Sequence, residues 1–255
     1  MDVLREIDEF CDAVPRQWAT AVDDGPLRLF TRNGPGWPLY ARPVPGGAPV
    51  VAADVERMRA RQRALGIPEA FEWVLAQAPT MTAAVAASGL PVHVCPLLVL
   101  DRDPEPAPLP PGCSARLLGP ADGDLASAAD AVNAVAAAAF GAPVPGAVSG
   151  GQLASLRADL AAGSVARLLV TDADGPVAAG SVQRAGDVAE LVGIGTAQRA
   201  RGRGIGAAVT ALLATAARGA GARVVFLAAG DDTATRVYER VGFHRVGQCG
   251  VVEPG

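Results

Sequence analysis

The sequence contains no lysine; all 22 of its basic residues are arginine. That absence excludes Schiff-base chemistry on a lysine, and it excludes a Walker A phosphate loop, which depends on one. His93 and His244 are the only histidines, and Cys11, Cys95, Cys113 and Cys249 stand apart with no C-x-x-C, so zinc-ligand spacing is missing and no metal is expected. Four buried free thiols in a reducing compartment is the expectation. Long apolar runs are lacking as well. The richest, "AVNAVAAAAFGAPV", is broken by Gly and Pro, and the opening "MDVLREIDEF" is acidic rather than a basic leader. Neither a membrane span nor a signal peptide is read, and a cytoplasmic location is expected. A net charge of −4 and a pI near 5.2 offer no general attraction to nucleic acid or to a membrane.

What is present suffices for two cores. Hydrophobic residues make up 50% of 255 residues against 19% charged, which is outside the range of disordered chains. "DRDPEPAPLPPG", residues 101–112, places five prolines in twelve residues and reads as a stiff, extended linker between a first lobe at 1–100 and a second at 113–255.

In the second lobe the pattern alternates. "CSARLLG" reads as a strand, "DLASAADAVNAVAAAAFG" and "GQLASLRADLAAG" as helices, and "VARLLVTDADGPVAAGSVQ" as two strands turning at Asp174-Gly175. "VAELVGIGT" follows as a strand. A helix from Gly204 then carries Ile205, Val209, Leu212, Leu213 and Ala216 on one face. A buried strand "RVVFLAAG", a short helix capped by Asp231 or Asp232, and a last strand complete a β-α-α-β-β-β-α-β-α-β order. The end of the first lobe repeats the end of the second: "FEWVLAQAPTMTAAVAASGLPVHV" aligns with "VVFLAAGDDTATRVYERVGFHRVG", and Gly89 falls on Gly242, an offset of 153 residues.

The densest motif is "RARGRGIG", Arg199 to Gly206, between a strand and a helix. Glycines there let backbone N–H groups converge on an anion at the positive end of a helix, and a diphosphate is the natural guest. On the residues alone, Gly202, Gly204 and Gly206 could instead serve only a tight turn. "GRGIGA" fits the dinucleotide pattern G-x-G-x-x-A. However, that pattern begins at the strand end, whereas "AQRA" and Arg201 intervene here, and too little chain follows Asp232 to build the rest of such a domain.

Residues 190–247 resemble the acyl-CoA-binding core of the GNAT superfamily of N-acetyltransferases. The family loop Q/R-x-x-G-x-G/A is matched by Arg201, Gly202, Arg203, Gly204, Ile205 and Gly206. The later N-x-x-A-x-x-x-Y with a Gly-Phe pair is matched by Asp231, Ala234, Tyr238 and Gly242-Phe243. The resemblance implies the acyl-CoA N-acyltransferase fold, of α/β (α+β) class, with a mixed, mostly antiparallel sheet flanked by helices, here in two tandem lobes. It implies acetyl-CoA as co-substrate and a small-molecule or peptide amine as acceptor. The diphosphate would lie on Arg201 to Ala207, with the pantetheine arm along the backbone of Ile194 and Thr196 beside a bulge.

By the same resemblance Glu190 is the general base, the Ile194 N–H the oxyanion donor and Tyr238 the acid for the departing thiolate. Asp231 replaces the family's asparagine, so it accepts from a pantetheine amide but cannot donate. Read without the resemblance, Glu190 is a strand-end glutamate, Tyr238 a half-buried tyrosine with its hydroxyl in water, and Tyr40 a packing residue. No cysteine lies in either motif, which favours direct transfer in a ternary complex over a covalent intermediate. The alternative is a non-catalytic acyl-CoA-binding or regulatory protein. The first lobe reads as a degenerate copy: the offset puts Ala48, Val51 and Ala53 where the arginine and glycines stand, Asp54 at the helix start, and Val85 at the tyrosine position.

Overall fold

A computed structural model describes residues 2–34 and 39–253 of the chain. In order they form α1 (Val3–Ala13), a 3₁₀ turn, β1 (Ala19–Asp24), β2 (Leu27–Arg32), β3 (Arg42–Pro43), α2 (Ala52–Ala64), β4 (Phe71–Val74), α3 (Met81–Ala87) and β5 (His93–Leu100). Then come β6 (Ser114–Leu117), α4 (Leu125–Phe140), α5 (Gly150–Ala162), β7 (Val165–Asp172), β8 (Gly175–Ala185), β9 (Val188–Thr196), a 3₁₀ turn at Gln198–Ala200, α6 (Ile205–Gly219), β10 (Val224–Ala228), α7 (Asp232–Val241) and β11 (His244–Val252). From β6 onward this is the order expected from the pattern. Residues 101–112 carry neither helix nor strand, as five prolines without an N–H favour.

The chain divides into two compact units, one of Met1–Leu97 with Ala228–Asp231 and Arg245–Gly255, the other of Leu98–Leu227 with Asp232–His244. The last strand therefore belongs with the first unit. There β1, β2 and β3 form an antiparallel meander, and β4 pairs antiparallel with β11, Trp73 facing Gly250. A Cβ on Gly250 would lie 2.3 Å from Trp73 Cζ2, so the indole rests directly on bare backbone. Around it Phe71, Met58, Leu27, Met81 and Val252 close a core. The Tyr40 hydroxyl donates to Glu253 Oε2 at 3.1 Å.

In the second unit β6 to β9 are successive antiparallel neighbours, and β10 joins β9 in parallel. Local chemistry sets the helix ends. Ser149 Oγ accepts from the Gln152 N–H while Gln152 Oε1 accepts from the Ser149 N–H, starting α5; Gly141 at φ +67° and Gly163 at φ +66° end α4 and α5. Leu125, Ala129, Val132 and Val135 of α4 pack on Leu169 and Ala179 of the sheet. The opposite face takes α6, where Val209 and Leu213 crowd Gly180 so closely that a Cβ there would lie 2.7 Å from Leu213 Cδ1. Ile205, Val209 and Leu213 are buried as expected. Leu212 is 37% exposed instead, and alanines 208, 214 and 217 complete the buried stripe. Close helix–sheet approach favours these small residues.

The repeat reaches the level of elements. An offset of 153 residues, Gly89 to Gly242, carries Ala52 at the start of α2 onto Ile205 at the start of α6, and Phe71 of β4 onto Val224 of β10. It also overlays α3 on α7 and β5 on β11.

Candidate active site

In the second unit the parallel pairing of β10 with β9 covers only Val224, Val225 and Phe226 against Val188, Ala189 and Glu190. Beyond Glu190, β9 runs on to Thr196 while β10 offers it no further partner among the described residues. The two strands part at that point and leave one edge of β9 unpaired. On its other edge β9 is irregular: Gly195 faces Ala179 and Val192 faces Ser181, so Gly193 and Ile194 share the single residue Gly180. This is a bulge, with Gly193 at φ +62°, a conformation that suits a residue without a Cβ. Ile194 turns its side chain to α6, where its Cγ1 would meet a Cβ on Gly180 at 3.2 Å. Thus the expected bulge sits at the expected residue, and the glycines of "VGIGT" were its visible signal.

After Thr196 the chain makes the 3₁₀ turn and enters the glycine loop. Gly202 at φ +77° and Gly204 at φ +81° lie in the left-handed region, so both meet a backbone demand of the turn itself. Gly206 differs. It is the second residue of α6, has no such φ, and an added Cβ would meet only Thr196 Oγ1 and Val237 Cγ1, both at an ordinary 3.8 Å. Nothing in the protein requires glycine there, and a helical glycine costs roughly 0.5–1 kcal/mol against alanine. Its bareness leaves room for a methyl between Thr196 at the end of β9 and Val237 of α7.

Among the described residues, the N–H groups of Gly202, Arg203, Gly204, Ile205 and Gly206 meet no protein acceptor, and the first turn of α6 carries no acidic residue. The matching helix of the first unit is closed: Asp54 Oδ2 accepts from the Val51 N–H at 3.0 Å, and Arg57 binds the same carboxylate at 2.8 Å. Burial would raise the Asp54 carboxyl, but these two donors hold it below the usual carboxylate range.

Two of the three loop arginines share one carboxylate. Arg199 binds Asp172 at the end of β7 through both terminal nitrogens, at 2.8 and 3.0 Å, and Arg203 reaches the same carboxylate at 3.4 Å. Hydrogen bonding from Arg199, against a lesser cost of burial and aided by the Asp174 N–H and Arg203, keeps the Asp172 carboxyl below its ordinary value. Arg203 also lies 3.5 Å from Cys113 Sγ, and that thiol is only half-buried, unlike the other three. Arg201 ties the loop to the strand by donating from Nε to the Thr196 carbonyl at 3.3 Å. Asp172 was invisible from sequence because nothing local links it to the loop.

Of the other predicted residues, Ala207 follows Gly206 in the first turn of α6, and Asp231 is exposed just ahead of α7. Tyr238 is half-buried on α7, its ring 6.4 Å from that of buried Phe243 and its carbonyl accepting from the Phe243 N–H. Val237, the residue before it, is the one that borders the space in front of Gly206.

A strand pair that opens, a bulge on the inner strand, and a bare helix N-terminus at the mouth form one arrangement, and residues 152–243 match the family model for GNAT acetyltransferases. Residues 152–243 are thus a GNAT acetyltransferase-family domain. Known structures extend the likeness over the full length. A GCN5-related N-acetyltransferase from Kribbella flavida is similar with a TM-score of 0.76 at 25% identity, covering 100% of this chain and 97% of that one. A tandem GNAT protein from the clavulanic acid biosynthesis pathway shares the fold with a TM-score of 0.54 at 18% identity, covering 90% and 78% of the two chains. So does a GCN5-related N-acetyltransferase-like protein from Streptococcus suis, with a TM-score of 0.58 at 11% identity and coverage of 98% and 97%. A search of curated proteins gave no match. The architecture is thus the acyl-CoA N-acyltransferase fold, and among the described residues no helix is long and apolar enough to cross a membrane.

Proposed function

We propose that this GNAT domain, residues 113–255, is an acetyl-CoA-dependent N-acetyltransferase that acylates a primary amine by direct transfer, with residues 1–100 a degenerate copy and residues 101–112 the connection. The observation that carries this reading is the row of N–H groups from Gly202 to Gly206 at the start of α6 that meet no protein acceptor. Such a row at a helix N-terminus suits a diphosphate, and Asp172 fixes the loop by holding Arg199 and Arg203. Arg201 supplies the nearby positive charge, and Ala207 continues the turn. Ile194 and Thr196 border the unpaired edge of β9, which can hydrogen-bond an extended amide arm as a further strand would. Asp231 can accept from such an amide.

Transfer requires three acts of this chain. Glu190, where the strands part, takes the proton of the attacking amine; the Ile194 N–H at the bulge donates to the carbonyl oxygen as charge develops there; and Tyr238 gives its hydroxyl proton to the leaving sulfur. At the corresponding positions the first unit lacks the loop glycines and the tyrosine, with Val51, Ala53 and Val85 in their places and Asp54 at the helix start. A reducing, cytoplasmic setting fits four free cysteines. Incubation with labelled acetyl-CoA and a panel of primary amines tests the proposal, with label appearing in the amine and free thiol in equal amount. Binding of acetyl-CoA without turnover on any amine would favour a regulatory acyl-CoA-binding protein instead.

A further inference from the structure

β11 reaches the first unit from the far end of the chain and lies between β4 and β5 in the strand order. Two of the four cysteines meet where it runs beside β5. Cys95 is the first buried residue of β5 after exposed His93 and Val94, and Cys249 is the first buried residue of β11 after exposed Gln248. They are 8% and 3% exposed. Cys249 Sγ donates to the Cys95 carbonyl at 3.7 Å, and the two thiols lie within hydrogen-bonding reach of each other. Neighbouring strands run about 4.8 Å apart and a disulfide spans Cα atoms roughly 4.4–6.8 Å apart, so a bond between these sulfurs asks little of the backbone. The other two thiols stand beside guanidinium groups, Cys11 at Arg42 and Cys113 at Arg203.

The pair is chemically unequal. The hydrogen bond with Cys249 brings the Cys95 thiol down to about 7 against the cost of burial, with His93 helping and Glu253 and Glu72 opposing. The same hydrogen bond and burial push the Cys249 thiol up, and Glu72, Cys95 and Cys11 add to that. Near neutral pH Cys95 is thus the nucleophile, and Cys249 keeps its proton as the partner thiol.

We infer that Cys95 and Cys249 are a redox dithiol, which a peroxide closes to a disulfide that staples β11 to β5 and which low-molecular-weight thiols reopen. The Cys95 thiolate attacks one peroxide oxygen, the O–O bond breaks and hydroxide leaves, giving a sulfenic acid at Cys95. The Cys249 sulfur then attacks that sulfur, the S–O bond breaks, and the hydroxyl departs as water with the Cys249 proton. Two thiols are oxidised and one peroxide is reduced to two waters, the second formed when the hydroxide takes up the proton that Cys95 gave to solvent. Two small thiols reopen the bond by exchange and leave as their own disulfide. In a reducing compartment such a bond forms under oxidant and is transient. It falls where a link constrains the chain most, because it closes a loop of about 150 residues.

Because the chain has no lysine, trypsin cuts it only after arginine, and Cys95 and Cys249 fall in separate peptides, 64–102 and 246–255, each with no other cysteine. The intact protein, treated with hydrogen peroxide, alkylated and digested without reductant, should yield these two peptides joined, and dithiothreitol should part them. Oxidation should raise Tm by about 5 °C or more, with no such rise in Cys95→Ser or Cys249→Ser. A link from either cysteine to Cys11 or Cys113, a link between chains, sulfinic acid at Cys95 without a link, or oxidation that leaves Tm unchanged overturns the inference. Where a serine variant fails to fold, the joined peptides and the melting shift of the parent decide alone.

Discussion

Gly206→Ala separates two explanations of the loop glycines, because the parent fold has room for the methyl and a bound diphosphate does not. The new Cβ would lie 3.8 Å from Thr196 Oγ1 and from Val237 Cγ1, in ordinary contact, at a helical position where alanine is favoured. Without ligand the variant should be as stable as the parent or more stable by up to about 1 kcal/mol, roughly 2–4 °C in Tm. Gly204→Ala should behave oppositely. Its Cβ also meets nothing within 4 Å, but φ is +81°, and a side chain in the left-handed region costs about 1–2 kcal/mol. Calorimetric titration with acetyl-CoA supplies the second axis. Gly206→Ala is expected to lose affinity at least about tenfold, or about 1.4 kcal/mol, since the methyl enters the space in front of the free N–H groups. A variant that melts no lower and binds acetyl-CoA as tightly as the parent would refute the placement of the diphosphate at this helix.

Tyr238→Phe should lower kcat by roughly 10²–10⁴-fold with little change in acetyl-CoA affinity; activity within twofold of the parent would make Tyr238 a packing partner of Phe243 only. Glu190→Gln should flatten the acidic limb of the pH–rate profile, and an unchanged limb would place the base elsewhere. Titration of acetyl-CoA into the intact chain should give a stoichiometry near one, lost in Gly204→Glu; a site surviving that change would show the first unit to bind on its own. Because Arg199 and Arg203 depress the Asp172 carboxyl, its contribution to stability is complete above the unfolded value of about 3.9 and fades as pH falls through the lower folded value. The Tm difference between the parent and Asp172→Asn should therefore be constant near neutrality and close in strong acid, and a gap that persists at pH 2 would show that the arginines do not hold this carboxylate.

Much of the domain was legible along the chain because its causes are local. Periodicity marked each strand and helix from β6 onward, and the loop glycines marked a tight turn, in which Gly202 and Gly204 take positive φ. The repeat was legible too, since equal spacing of like elements survives the loss of identical residues. Residues whose role depends on distant chain were less readable. Leu212 fits the apolar stripe by period alone, yet it is exposed, while Ala208, Ala214 and Ala217 are buried with Val209 and Leu213.

By itself the sequence determined the element order from β6 onward, the repeat of like elements, the exclusion of lysine chemistry and the place of the glycine turn ahead of α6, all consequences of residue type and short-range spacing. Tertiary structure alone decided that Asp172 takes two of the three loop arginines, that β9 parts from β10 after Glu190, that Gly206 opens onto space rather than serving the turn, and that β11 belongs with the first unit. Each depends on groups brought together from far along the chain, where ion pairing, strand register and steric room are set by packing rather than by neighbours in sequence.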